Sequence, residues 1–521
     1  MTNITKIKLH NFKRFQQFEV DFDKAINLLV GDNEAGKSSL LEAIDIVISG
    51  SVSKVQTIGL ESLFNAKVID EFLAGEKKYK DLPELYIELF LDEQGNPELN
   101  GRKHSLDPKD FDGLKLKCVP RDDLSKDILK ILAQEQPSFP FEFYSINFNT
   151  FSGKSYTGYN KYIRHLLLDS TQINNEYATR EYIKTVYHST AEEKDVSKHQ
   201  NEYRNHKSRF KDNVLNDVNA RIEGYEFGIR TGVKANLETD LTILEGNIPL
   251  EKRGKGRQCF IKTEFALTRK QDKYPINTLL LEEPENHLSH TSMANLIGSI
   301  LKSRDKQIFI STHSNMICSR LGLRQAIFLN SSSDAAVPLS ALSSGTGKFF
   351  MKAPDNNVLE LILSKKVLLV EGDAEFILME QLYKKTSGEE LYDSDVHIIS
   401  VGGTSFKRYL ELANLLNIKV AVVTDNDGDV EYCRKRYADY ENADAKVFFD
   451  QDSVRSTFEI AMYRDNQAIC EELFAEGRTK ISVQDFMLSN KADVAFELLD
   501  KKASEIVVPE YIREAIEWLR H

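Results

Sequence analysis

Two sets of residues have types and spacings that could do chemistry. The first is GDNEAGKSS, Gly31 to Ser39, which fills every fixed position of G-x-x-x-x-G-K-[ST]. Backbone N–H groups from Gly31 to Lys37, those of Asn33 and Gly36 among them, would cradle the phosphates of a nucleoside triphosphate at a helix N-terminus. Lys37 would reach the β- and γ-phosphates, and the Ser38 hydroxyl, with Ser39 beside it, would sit on Mg²⁺. The second set is carboxylates: Glu371 and Glu375 in EGDAE, then Asp425 and Asp427 in DNDGD. Oxygen donors on separate strand ends, with no nearby His or Cys, suit Mg²⁺ or Mn²⁺. DNDGD alone looks like a calcium loop, but it runs on into VEYCRKRYADY without the downstream Glu of an EF-hand.

The phosphate loop needs a strand before it and a helix after it. AINLLV (25–30) and SSLLEAIDIVI (38–48) supply them. Upstream, ITKIKLH (4–10) alternates apolar and polar like a strand with one buried face, and a second strand follows over 18–22. Between them lies NFKRF, where Lys13 or Arg14 either approaches the phosphates or is an exposed turn charge. LYIELF (85–90) and FEFYSINF (141–148) read as strands. Residues 92–104 read as a turn-rich hairpin connection, with Gln94 placed where a Q-loop could lie. From 161 to 222 the chain is polar and mostly free of Gly and Pro. Apolar residues recur there at helical spacing (Tyr162, Leu166, Leu167; Tyr182, Val186; Phe210, Val214, Val218), which predicts an inserted helical arm that contacts another subunit. RNHKSRFK (204–211) reads first as a solvated helix face, with DNA contact as the minority reading.

The second half of the nucleotide site follows. In NTLLLEEPENHLSH an apolar strand ends in two carboxylates: Glu282 would hold the Mg²⁺ shell and Glu283 would orient the attacking water. QIFISTHSN is another strand, with His313 at its tip as a γ-phosphate sensor. PLEKRGKGRQ places Gly254 and Gly256 before a helical run. After LSSGTGKFFMKAPDNN, which reads as a linker, strands and helices alternate. KKVLLVEGDAEF, VHIISVGGTSF and IKVAVVTDNDGD predict a small parallel sheet with carboxylates gathered at its strand C-terminal ends.

At 521 residues the chain has room for roughly two to four domains. Its formal charge of −12 does not invite nucleic acid globally, so any DNA site is local. Five scattered cysteines without metal-ligand spacing point to thiols in a reducing cytoplasm. No apolar run is long enough for a bilayer, and the N-terminus lacks a signal-peptide core, so no membrane role is expected.

The order of phosphate loop, insertion, signature, paired carboxylates and switch histidine resembles ABC-type and SMC-like ATPases. Glu282-Glu283 in LLLEEPENHL, in place of Asp-Glu, and KRGKGRQ, in place of LSGGQ, look like the OLD (overcoming lysogenisation defect) family. Glu-Gly-x-x-Glu followed by Asp-x-Asp resembles a Toprim domain. STFEIAMY and NKADVAFELL resemble the end of OLD-type Toprim domains. The resemblance implies an α/β fold, with an ABC/SMC-like P-loop ATPase domain over 1–360, its helical insertion at 161–222, and a Toprim nuclease domain over 361–521. Glu371, Asp425 and Asp427 would then hold one divalent ion, and Glu375 and Glu459 would help hold a second. Lys491 would steady the transition state. ATP and Mg²⁺ or Mn²⁺ are the implied cofactors and DNA the substrate. One phosphate loop and one signature-like segment per chain, facing each other across a two-fold in such ATPases, imply a homodimer or higher even oligomer. The family implies defence against phage, with a partner such as a helicase or a retron reverse transcriptase with its DNA–RNA product. The competing reading is an SMC-like ATPase whose Toprim unit senses or clamps nucleic acid with little cleavage.

Overall fold

The alternation at the start of the chain builds β1 (Ile4–Phe12). Its Ile7 and Leu9 are buried, while Lys6 and Lys8 pair with Asp21 and Glu19 of the antiparallel β2 (Phe15–Asp21). β3 (Ile26–Gly31) is buried along its whole length, as a strand covered on both faces must be. The phosphate loop and α1 (Lys37–Ser49) follow it. The computed structural model describes residues 2–106, 109–158, 162–171, 176–221, 226–230, 236–268, 276–303, 305–331, 333–353, 357–475 and 481–521.

β4 (Leu85–Leu91), β5 (Phe111–Pro120) and β6 (Tyr144–Thr150) extend the antiparallel sheet in the order β2-β1-β4-β5-β6. The strand expected over 141–148 begins later, because Phe141–Phe143 is a 3₁₀ turn. Pro140 precedes the turn, and the rings of Phe139, Phe141 and Tyr144 gather around Phe64 at 5.4 to 5.9 Å. Ring packing there overrides strand propensity.

The helices expected from 161 to 222 begin instead with a strand, β7 (His165–Asp169), paired in parallel with β8 (Thr278–Glu282). HLLLD has a period of two: Leu166 and Leu168 are buried together, so this stretch suits a sheet edge and not a helix face. α2 (Glu176–Thr190) and α3 (Glu193–Val214) then follow as helices. Tyr182 and Val186 are buried, whereas Phe210, Val214 and Val218 are exposed. Lys161 and Ile222, the ends of the expected arm, lie outside the described residues. After α4 (Lys255–Thr268), β8 and β9 (Gln307–Ser311) complete a parallel run in the order β3-β9-β8-β7. α1 packs against both sheets. Leu40, Leu41, Ala43, Ile44, Ile46, Val47 and Ile48 are therefore buried around most of its circumference.

That burial extends to a charge. Asp45 on α1 accepts a hydrogen bond from His165 Nε2 of β7 at 2.6 Å and pairs with Lys54. Burial alone pushes the Asp45 carboxyl up. The bond from His165 and the Lys54 charge outweigh it and hold the group down to about 2 from 3.8. A depressed acid stabilises the fold fully above its unfolded value of 3.8 and loses that contribution as pH falls through about 2. The effect of removing it is therefore constant near neutrality. Asp45→Ala is expected to cost about 3–5 kcal/mol, the usual result of breaking a buried pair. The measurement is the urea midpoint at pH 7; an unchanged midpoint would show that the α1–β7 link carries no stability.

In the C-terminal unit, β10 (Lys366–Val370), β11 (Val396–Ser400), β12 (Lys419–Val423) and β13 (Ala445–Phe448) form a parallel sheet in the order β11-β10-β12-β13. α5 (Asp373–Ser387), α6 (Phe406–Leu416) and α7 (Val430–Tyr437) follow the first three strands. α8 (Phe458–Asp465), α9 (Lys491–Lys502) and α10 (Glu510–Arg520) complete the unit. The chain leaves β10 to one side and returns on the other, so the β10 and β12 ends form a topological switch point. On α10, Trp518 packs against Phe448 with ring centroids 6.0 Å apart, and Lys419 Nζ lies 4.7 Å from its ring.

Contacts divide the chain into Met1–Thr312 with Leu329–Ala336, and His313–Phe328 with Val337–His521. The stretch expected as a linker contains a helix, Ser344–Lys352, and Ser343 and Thr346 hydrogen-bond Glu411 of α6. Among the described residues no helix is long and apolar enough to cross a membrane.

Candidate active sites

The phosphate loop turns tightly between β3 and α1. Gly36 caps α1 at φ +95°, and a Cβ there would meet the Phe15 ring at 2.4 Å, so only glycine fits. Lys37 is buried and folds back to donate from Nζ to the carbonyls of Gly31 and Asp32 at 2.7 and 2.8 Å. Burial lowers its ammonium pKa, opposed by the charges of Glu283, Asp32, Glu285 and Glu282. Ser38 is exposed and hydrogen-bonds Glu282, while Ser39 is half-buried and Asn33 is exposed on the loop. Neither Lys13 nor Arg14 is an idle surface charge. Arg14 braces the loop from outside, donating to the carbonyls of Ala35 at 2.6 Å and Asn330 at 2.8 Å, and Lys13 pairs with Glu42 of α1. Gln94 donates to Asp92 and accepts from Thr2 beyond the end of β4.

Opposite the loop, Glu282 ends β8 in register with Asp169 at the end of β7. Burial pushes the Glu282 carboxyl up. The Ser38 hydrogen bond opposes this, and Asp169 and Glu283 reinforce it. A hydroxyl and carboxylates meeting at one spot are the donor set a hard cation takes. Glu283 stands at φ +44°, a left-handed conformation that a non-glycine residue adopts at a cost. Its N–H donates to Ser311 O at 3.0 Å, and its Oε2 accepts from Asn286 Nδ2 at 2.8 Å. Glu285 accepts from the Thr312 hydroxyl at 2.6 Å. His313 follows Thr312 and groups by contact with the other unit. Gly254 precedes α4. Gly256 lies in its first turn, where a Cβ would meet His287 O at 2.1 Å. Within the chain Gly256 thus permits close backbone approach to the loop after β8.

In the C-terminal unit Glu371 directly follows β10 and Glu375 lies in the first turn of α5. Asp425 and Asp427 follow β12, Glu459 is in the first turn of α8, and Lys491 opens α9. Thr424 donates to Glu371 Oε2 at 3.3 Å, and the Phe458 N–H donates to Asp425 Oδ1 at 2.8 Å. Lys491 Nζ lies 3.0 Å from Glu459 Oε1 and 3.1 Å from Oε2. Burial, then the charges of Glu375, Glu371 and Glu459, push Asp425 up to about 8. Burial, then Glu459 and Glu371, push Glu375 up to about 7, with Lys491 opposing. Asp427 is exposed on the same turn at φ +51°. Among the described residues, no three His, Cys, Asp or Glu side chains are closed together as a metal cage. The fit to a divalent cation is one of donor chemistry: the carboxylates are the oxygen donors such a cation takes, and the like charges of Glu371, Glu375, Asp425 and Glu459 act on one another.

Sequence reasoning missed several participants. Asp169 sits on the strand taken for a helix. Thr424 and Asn286 were visible only as polar residues beside acidic motifs.

Residues 3–318 match the AAA ATPase domain family, and residues 362–427 match the family described as overcoming lysogenization defect protein-like, TOPRIM domain. The chain is 30% identical over 164 residues to the Old nuclease of Escherichia phage P2, covering 29% of this chain and 28% of that protein. It is 29% identical over 179 residues to Endonuclease GajA of Bacillus cereus (strain VD045), covering 33% and 31%. The matched stretch therefore spans less than a third of either relative's length. Among solved structures, the C-terminal region of the Xanthomonas campestris pv. campestris OLD protein superposes with a TM-score of 0.23 at 22% identity, covering 30% of this chain and 94% of that one.

Proposed function

The chain belongs to the AAA ATPase domain family and carries an OLD-like TOPRIM domain, and on that premise we propose that it is an ATP-binding, divalent-metal-dependent DNA endonuclease acting in defence against phage. The two domain types imply use of a nucleotide and a divalent metal. The observation that carries the nuclease reading is the grouping of Glu371, Glu375, Asp425 and Glu459 around one charged spot, with Lys491 against Glu459. The names of the two relatives, a nuclease and an endonuclease, support it.

Glu371, Asp425 and Asp427 would hold one Mg²⁺ or Mn²⁺, and Glu375 and Glu459 would help hold a second. Bound there, the metals supply an activated water and charge stabilisation for the leaving 3′-oxygen in an in-line displacement. Thr424 orients the Glu371 carboxylate, and the Phe458 N–H orients that of Asp425. Lys491 offers an ammonium where charge grows on the transferring phosphate. In the N-terminal unit, Lys37 would bind the β- and γ-phosphates and Ser38 with Glu282 the nucleotide's Mg²⁺. Glu283 would orient the attacking water and His313 would sense the γ-phosphate. The test is a plasmid assay with Mg²⁺ or Mn²⁺, with and without ATP. Nicked or linear product supports the endonuclease; binding without cutting favours a clamp or sensor.

A complete nucleotide site in this reading needs Gly254 and Gly256 of a second copy, so the working unit is a homodimer or an even multiple of it. Light scattering at micromolar concentration should give at least twice the chain mass. A monomer that hydrolyses ATP would count against the shared site.

A further inference from the structure

The turn carrying Asp425 and Asp427 is not held by β12 alone. Asn426, only 2% exposed, donates from Nδ2 to the carbonyls of Asp450 and Asp452 at 2.8 and 3.1 Å. Its Oδ1 accepts from the Gly428 N–H at 2.8 Å. The Asp427 N–H donates to Ser456 O at 3.1 Å, and the Phe458 N–H reaches Asp425 Oδ1 at 2.8 Å. The acidic turn is thus stitched along its length to the segment 450–458. Asp427 is kept in a left-handed conformation that only an over-determined surrounding maintains.

That segment has no strand or helix of its own between β13 and α8. Local bonds within it, the Asp452 N–H to Asp450 Oδ1 at 3.0 Å and the Val454 N–H to Asp452 Oδ1 at 2.9 Å, are joined by a longer-range tie from Arg455. The guanidinium donates from Nε to Asp450 Oδ2 at 2.5 Å, at the start of the segment. It also forms a fork, Nη1 and Nη2 to Asp465 Oδ1 and Oδ2 at 2.7 and 2.5 Å. Asp465 is the last residue of α8, whose first turn carries Glu459. One side chain therefore ties the far end of α8 to the segment that grips Asp425, Asn426 and Asp427. The group is sheltered, with 17% of its side chain exposed, and two carboxylates more than offset its charge. It is committed to them and not offered to a phosphate. A planar bidentate fork is a geometry that lysine's point charge does not reproduce.

We infer that Arg455 is a positioning residue for the metal-binding carboxylates, fixing the spacing between the Asp425–Asp427 turn and Glu459. This rests on the endonuclease reading only in naming these carboxylates as the metal site. A merely structural Arg455 would alter stability and leave metal affinity alone; a positioning Arg455 alters metal affinity in protein that is still folded.

The experiment is a titration of the full chain with Mn²⁺ alone, without DNA or ATP, following free Mn²⁺ by electron paramagnetic resonance. The site is defined as the binding lost in Glu371→Ala. Arg455→Ala is expected to weaken that binding by about tenfold to a hundredfold, the usual effect of losing an outer support of a metal ligand. Arg455→Lys keeps charge and bulk, guards against loss of the fold, and should weaken binding by a smaller factor. ATP turnover should match the parent in both. Parent-like Mn²⁺ affinity in either folded variant overturns the inference. A parent chain with no Glu371-dependent binding overturns it together with the metal reading. If Mn²⁺ binding falls as expected but the parent does not cut DNA, the inference stands and the endonuclease reading fails.

Discussion

Glu371→Ala and Asp425→Ala are each expected to lower metal-dependent plasmid cleavage by about a hundredfold or more, beyond what loss of an outer partner costs a metal site, while ATP turnover stays at the parent level. Both carboxylates stand at the C-terminal ends of adjacent parallel strands, and both press on neighbours of the same charge. In the proposed reading, removing one would take a ligand from the cation and would also relieve repulsion in the metal-free protein. The fold should therefore survive, and circular dichroism of the variants should match the parent. Lys491→Ala should behave differently. Its ammonium is held against Glu459, and its loss should reduce cutting more than Mn²⁺ binding. Nicking and linearisation, measured beside Lys37→Ala with metal in excess, decide the matter. If Glu371→Ala cuts as well as the parent, the nuclease site lies elsewhere and the clamp reading replaces it.

The second large effect concerns the nucleotide. Lys37→Ala should weaken ATP binding by roughly a hundredfold, since charge-assisted contacts to phosphate are among the strong ones and no other cation occupies this loop position. The loss is compounded by Glu282, Glu283 and Glu285, whose charges surround the buried ammonium and would then face the phosphates without it. Glu283→Gln is the cleaner chemical test. A glutamine oxygen still accepts from Asn286, so the geometry after β8 is kept and only the carboxylate's charge and basicity are lost. ATP should bind normally while turnover falls about a hundredfold or more, the range a general base supplies. Equilibrium binding with a fluorescent ATP analogue, beside phosphate release, separates the two. Parent-like turnover in Glu283→Gln would move the role to a neighbouring acid.

The parts of the fold legible in the sequence were those in which chemistry and periodicity coincide. The phosphate loop has fixed glycines because backbone approaches phosphate there, and the apolar runs before each acidic turn are strands with little choice of register. The family resemblance extended to the ATPase and TOPRIM domains, and both were found. What escaped depends on partners distant in sequence. HLLLD becomes a strand because β8 lies beside it, more than a hundred residues later, and with it Asp169 arrives next to Glu282. Phe141–Phe143 turns because of Phe64. Arg455 is one basic residue among many until Asp450 and Asp465 close on it. Gly256 was read for nucleotide, yet within the chain its missing side chain admits the carbonyl of His287.

The indole on α10 has a practical consequence. It belongs to the only tryptophan in the chain, and it leans on β12 and β13, the strands that lead to the acidic turn and to the segment Arg455 holds. Red-edge emission therefore originates wholly in the C-terminal unit, and the nucleotide-binding unit is dark at those wavelengths. The C-terminal engine can thus be followed through denaturation in the intact chain without an added label, by this intrinsic lamp alone.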